Sequence, residues 1–197
     1  GAVLAAIIAE TIEADVFAPI QISESGLGKQ LLSHPDVNQV ILTGGYETAQ
    51  LFKTFRPDMR LLAETSGKNA IMVTESADYD LAAKDIAYSA FGHAGQKCSA
   101  SSIVILVGSA AKSKRFRRQL EDAVTSLHVG HPDDPKTQMG PMIDAPTGKL
   151  LEGLTVLERG EKWLVKPAQL DETGKLWSPG VRYHVRPNSK SHKTEYF

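Results

Sequence analysis

Apolar positions recur in two rhythms along this chain, and together they predict its elements. Residues 2–14 carry helical spacing, with Glu10 and Glu13 on the polar side, and stop before Ala18-Pro19. Pro19-Ile20-Gln21-Ile22 predicts a short strand, and Ser25-Gly26-Leu27-Gly28 a turn into a helix over Lys29–Ser33. His34-Pro35-Asp36 breaks that helix. A strand follows over Val37–Leu42, then the turn Thr43-Gly44-Gly45, a helix over Glu47–Phe55, and strands at Arg60–Ala63 and Ala70–Val73. Further on, Asp78–Phe91 predicts a helix, Ser102–Val107 a buried strand, and Ser109–Leu127 a helix with Phe116, Leu120, Val124 and Leu127 on one face. A Pro/Asp-rich loop at Val129–Pro135 precedes a helix over Ala145–Arg159 and strands at Trp163–Val165 and Val181–Val185.

Alternating strands and helices of this kind predict an α/β fold with largely parallel pairing. The pattern changes near Glu64, so the expected organisation is one domain over 1–63 and a second over 64–197. The 197 residues are 42% hydrophobic and 23% charged, the balance of an ordinary globular protein. A formal net charge of −1 gives no electrostatic reason for a nucleic-acid partner. Lys114, Arg115, Arg117 and Arg118 are expected to be a solvated helix face. No apolar run reaches the ~18 residues of a membrane-spanning helix. The apolar start lacks the basic flank of a signal peptide. One cysteine excludes an internal disulfide and suits a reducing compartment, so a cytoplasmic location is expected. The six histidines show no metal-ligand spacing, and no metal is expected.

Three places invite chemistry. Thr43-Gly44-Gly45 joins a strand to a helix N-terminus, where small residues and free N–H groups suit a phosphate, although the same tripeptide is also a plain turn. Glu64 ends a strand, where α/β folds place active-site groups. Cys98, preceded by Gly95-Gln96-Lys97 and followed by Ser99-Ala100, lies in a loop. A lone cysteine is more often a buried small hydrophobe, and these small polar flanks weaken that reading in favour of a reactive thiol. His93 offers a base for a thiol hydrolase but has no visible orienting partner.

At these residues the chain resembles the NAD(P)-dependent aldehyde dehydrogenases. Glu64-Thr65-Ser66-Gly67-Lys68-Asn69 is similar to the family's Glu-Leu-Gly-Gly-Lys, with Ser66 in place of a glycine. Gly95-Gln96-Lys97-Cys98 is similar to its Gly-Gln-x-Cys, and the separation of Glu64 from Cys98 fits as well. The resemblance implies that Cys98 is the nucleophile and Glu64 the general base. It assigns cofactor contacts to Gly28, Thr43, Gly44, Gly45 and Thr65, and to Glu195 and Phe197 of a Glu-x-Phe segment. NAD is the implied cofactor, with NADP as the alternative.

The implied fold is the end of a Rossmann-like cofactor domain plus most of an α/β catalytic domain, the middle of a longer enzyme. Ala63-Glu64-Thr65-Ser66-Gly67 and Cys98-Ser99-Ala100 resemble most the L-glutamate γ-semialdehyde (1-pyrroline-5-carboxylate) dehydrogenases of proline catabolism. That group implies a small aldehyde substrate met by Ser99, a homo-oligomeric full-length protein, and fusion to a proline dehydrogenase domain. The rival expectations are another aldehyde substrate, or a stretch that is inert by itself because it lacks half of the cofactor site.

Overall fold

A computed structural model of the chain describes residues 2–13, 16–23, 25–65 and 67–197. The chain divides into two compact units, residues 1–65 and 66–197.

In the first unit, α1 (Ala2–Thr11) is three residues shorter than its periodicity predicts. The Thr11 hydroxyl turns back to donate to the Ile7 and Ile8 carbonyls, and residues 14–15 lie outside the described set. The strand expected at 19–22 is not formed. Ile20 and Ile22 stand exposed with no ladder partner among the described residues, and alternation in sequence cannot supply one. Then come α2 (Leu27–Ser33), β1 (Val40–Gly44), α3 (Tyr46–Phe55) and β2 (Leu61–Thr65).

β1 starts three residues later than expected because Val37 caps a turn instead. Its N–H donates to His34 O, and Arg56 clasps the turn through His34 O and Val37 O, both at 2.7 Å. Thr43 and Gly44 therefore continue β1 instead of forming a turn. β1 and β2 pair in parallel, with Thr43 beside Glu64 and Gly44 beside Thr65. Alternation along β1 turns Val40 and Leu42 onto Phe52 and Met59, the core of this unit, while Ile41 faces away.

Gly28 is buried in the first turn of α2. A Cβ there would fall 2.2 Å from the Ser23 carbonyl oxygen, which is backbone and cannot swing aside. Gly28→Ala is expected to destabilise the unit by about 1–3 kcal/mol, the scale of an overpacked site. A thermal melt of the variant within one degree of the parent would contradict this.

The second unit is built on β3 (Ala70–Val73) and β4 (Ile103–Leu106), again parallel, with Ala70 opposite Ile103. α4 (Tyr79–Phe91) and α5 (Lys114–Thr125) cover them with Ala83, Ile86, Ala87, Phe116, Leu120 and Val124. Asp78 caps α4 by accepting from the N–H groups of Asp80 and Leu81, and Ser113 caps α5 by accepting from Phe116 N–H. That second cap is why the helix expected over 109–127 is split. Gly108 has φ +62 and starts a separate 3₁₀ turn over Gly108–Lys112, and α5 begins afresh behind Ser113.

On α5, Arg115 pairs with Asp80 at 3.1 Å and Arg117 lies over the Tyr183 ring, so half of the basic cluster is engaged with its own chain. α6 (Gly148–Thr155) is shorter than predicted at both ends, flanked by Pro146 and by extended Val156. An antiparallel pair, β5 (Lys162–Val165) and β6 (Val181–Tyr183), and a short α7 (Lys190–Lys193) complete the unit. Among the described residues, parallel pairing thus holds for two of the three strand pairs. Among the described residues no helix is long and apolar enough to cross a membrane.

Candidate active site

In the first unit the predicted residues gather at the C-terminal ends of two neighbouring parallel strands. Parallel register places Thr43 next to Glu64 and Gly44 next to Thr65. Glu64 is exposed there. Gly45 is the N-cap of α3 and supplies no side-chain cap, so the N–H groups of the first helical turn are left for another acceptor. A Cβ on Gly45 would come 3.3 Å from the Glu47 carboxylate, which already sits at this positive helix end. Gly28, in the first turn of α2, lies beside a shallow groove lined by Ser25, Gly26, Lys29, Leu51 and Phe55, with the Lys29 ammonium over the Phe55 ring.

In the second unit Cys98 occupies a tight turn. Ala100 N–H donates to Lys97 O at 3.0 Å, which leaves Cys98 and Ser99 at the exposed corner. The thiol is free. The approach from α4 is unusual, since His93, Ala94 and Gly95 follow one another with φ of 53, 56 and 74 degrees. Left-handed backbone at two non-glycine residues costs about 1–2 kcal/mol each. It is the route by which the chain leaves α4 and reverses into the cysteine turn.

Two side chains fix that turn. Gln96 Oε1 accepts from Ile143 N–H at 2.9 Å. Asn69 Nδ2 donates to Cys98 O at 2.5 Å and to Ala100 O at 3.1 Å. Ser101, next along, is buried and donates through its N–H to Ser89 O of α4. An exposed sulfur on a backbone pinned from both sides is the arrangement a nucleophile needs.

The Glu195–Phe197 segment is held at its middle residue. The Tyr196 ring lies against Gly153, where a Cβ would fall 2.7 Å from it, and its hydroxyl meets Ser191 Oγ at 3.5 Å. Lys68 and Arg182 face the same ring at 5.2 and 5.6 Å. Lys68 Nζ also donates to Thr194 O at 2.9 Å. Burial holds the Lys68 ammonium below the usual lysine range, helped by the Arg182 charge and opposed by the Glu195 carboxylate.

The sequence pattern of the aldehyde dehydrogenase family matches residues 1–197. The chain belongs to that family. It is 33% identical over 183 residues to the 1-pyrroline-5-carboxylate dehydrogenase of Bacillus subtilis (strain 168), covering 87% of this chain and 35% of that protein. Among solved structures, proline utilization A from Corynebacterium freiburgense is similar with a TM-score of 0.80 and 56% identity, over 86% of this chain and 17% of that one. A 1-pyrroline-5-carboxylate dehydrogenase from Thermus with bound NAD is similar at TM-score 0.76 and 28% identity, over 88% of this chain and 35% of that one. The chain thus spans about a third of the length of such dehydrogenases.

Within this aldehyde dehydrogenase chain, Thr43, Gly44, Glu64 and Thr65 fall at strand ends, Gly45 at a helix cap, Gly28 in the first turn of α2, Cys98 and Ser99 in an exposed turn, and Glu195 and Phe197 in the segment after α7. Ser66, the departure from the family's glycine, lies outside the described residues. Sequence reading passed over Asn69, Gln96 and Lys68 as members of motifs without roles of their own. Their partners lie elsewhere along the chain and only the fold reveals them. Tyr196 was likewise the unspecified residue of Glu-x-Phe. Leu51 and Phe55 of α3 carried no expectation of a role, and Phe55 packs on the core while also lining the groove.

Proposed function

We propose that the chain carries the nucleophile and the general base of an NAD-dependent oxidation of an aldehyde to a carboxylic acid, with NADP as the alternative cofactor. The single observation that supports it most is the Cys98 turn: an exposed free thiol inside the family's motif, fixed by Asn69 and Gln96. The residues in the first unit suit a dinucleotide. The uncapped start of α3 behind Thr43-Gly44-Gly45 offers amides to a pyrophosphate, and the α2–α3 groove beside Gly28 offers Leu51 and Phe55 to an adenine. The held Glu195–Phe197 segment suits the nicotinamide ribose. Domain roles follow: cofactor binding over 1–63 and catalysis over 64–197.

In this reading the Cys98 thiolate attacks the aldehyde carbon, and the Cys98 backbone N–H stabilises the oxyanion of the thiohemiacetal. Bound nicotinamide supplies the acceptor for the hydride that leaves that carbon. Glu64 then takes a proton from water, the hydroxide displaces Cys98 from the thioester, and the acid departs with the thiolate restored. Ser99, exposed next to the nucleophile, donates its hydroxyl to a polar substrate.

Likeness to proteins named 1-pyrroline-5-carboxylate dehydrogenase and proline utilization A supports L-glutamate γ-semialdehyde as that substrate, and a fusion to a proline dehydrogenase domain in the complete protein. Steady-state kinetics of the full-length protein test this. A kcat/KM for glutamate semialdehyde about 10⁴-fold above that for aliphatic aldehydes is expected, the scale at which a site built to hydrogen-bond polar groups rejects substrates lacking them. Equal or better use of an aliphatic aldehyde overturns the substrate, and no nicotinamide reduction with any aldehyde overturns the reaction. Glu64→Gln is expected to slow turnover by about 10²–10⁴-fold, the worth of a general base. Mass spectrometry should then find an acyl group accumulating on Cys98. Full rate with no adduct would remove Glu64 from its role.

A further inference from the structure

We propose that Lys68 and Asn69 form a two-armed brace of positioning residues, Asn69 holding the Cys98 turn and Lys68 holding the Glu195–Phe197 segment. The assignment of these two segments to nucleophile and nicotinamide ribose rests on the function proposed above. The brace itself rests on contacts within the second unit.

Asn69 ties down four positions of the nucleophile segment. Its side-chain amide gives its two protons to Cys98 O and Ala100 O. Both acceptors are carbonyls, so only the nitrogen of the amide can face them. Its main-chain oxygen accepts from the N–H groups of Ser102 and Ile103 at 3.0 and 3.1 Å. The next residue, Ala70, starts β3 opposite Ile103, so the arm is anchored in the parallel ladder. A flexible anchor would let the turn drift, whereas this one inherits the rigidity of the sheet.

The other arm reaches a different element. Lys68 Nζ donates to Thr194 O, directly before Glu195, and its charge lies over the Tyr196 ring. A half-buried ammonium is a costly way to hold a loop, and burial does hold this one below its ordinary range. Consecutive residues reach across the unit in two directions, from the connection that leads directly into β3. Because the arms have no acceptor in common, loss of one is expected to leave the other in place.

The test uses the full-length protein and four variants, with amide hydrogen exchange, NADH affinity by fluorescence, and kcat as readouts. In Asn69→Leu, exchange of the peptide covering 97–101 accelerates about tenfold or more and kcat falls by a similar factor, as for one to two lost hydrogen bonds. NADH Kd stays within about twofold, and exchange of the 194–197 peptide is unchanged. Lys68→Met gives the reverse: exchange at 194–197 accelerates and NADH Kd rises about tenfold, while 97–101 keeps its protection. Lys68→Arg, which retains a donor, and Asn69→Gln, which retains the amide, recover part of each effect. Asn69→Asp, isosteric but without the amide donors, carries the test if the leucine variant does not fold.

Variants that move both peptides and both kinetic readouts together, or neither, overturn the brace. If the wild-type protein binds no NADH and oxidises no aldehyde, the proposed function fails, and the exchange data still decide the brace.

Discussion

Cys98→Ser in the full-length protein is expected to lower kcat for aldehyde oxidation by at least about 10³-fold, as removal of a covalent nucleophile does. The substitution changes one atom, and the local structure argues that it changes little else. Asn69 and Lys97 grip the turn through main-chain atoms, the carbonyls of residues 98 and 100 and the N–H of residue 100. None of these contacts passes through sulfur. The side chain is exposed, so no core volume is lost. A serine hydroxyl ionises several units above a thiol and supplies almost no anion at neutral pH, so the attack fails while the turn persists. NADH affinity and the thermal transition should match the parent, which separates loss of chemistry from loss of structure. Retention of more than about one-hundredth of the parent kcat would remove Cys98 as nucleophile.

What sequence could and could not convey divides along the range of the forces involved. β3 was expected at Ala70–Val73 and is found there. The α4 expectation, Asp78–Phe91, differs from the helix only in making Asp78 its cap. Short-range rules decide both, through a β-branched apolar run in one case and an Asx cap in the other. The strand expected at 19–22 needed a partner that no local pattern guarantees. The helix expected over 109–127 had an unbroken apolar rhythm, yet a left-handed glycine and a serine cap divided it.

The same division runs through the candidate site. Cys98, Glu64 and the glycines could be named because their chemistry is intrinsic to the residue type. Asn69, Gln96, Lys68 and Tyr196 take their meaning from acceptors and rings brought near by folding, some of them more than a hundred positions away. A motif therefore pointed to the candidate reactive groups, while the groups that hold them required the fold.

Arg182→Met is expected to destabilise the second unit by about 3–5 kcal/mol, the cost of leaving one partner of a buried ion pair alone. Arg182 Nη1 lies 3.0 Å from Glu161 Oε2, with side chains only 14% and 2% exposed, so solvent screens the pair weakly. The guanidinium fork also donates to Ser191 Oγ at 2.8 Å and to the Gly153 carbonyl. Its face lies over Trp163 at 4.9 Å and over Tyr196. One planar cation thus joins β5, β6, α6, α7 and the Glu195–Phe197 segment. Lysine offers neither the fork nor the flat face, so Arg182→Lys should recover only part of the loss.

Methionine keeps much of the volume but strands the Glu161 carboxylate. That carboxylate would retain one acceptor contact from Glu158 N–H, while its Oε1 already lacks a hydrogen-bond partner among the described residues. The penalty is therefore mainly that of an unpaired buried charge. The double variant Arg182→Met, Glu161→Met should regain most of the stability, because the lone charge is removed with its partner. Urea titration of the two single variants and the double variant measures this coupling directly. If the double variant is as unstable as the sum of the singles, the pair contributes through packing alone, and the electrostatic account of this joint is wrong.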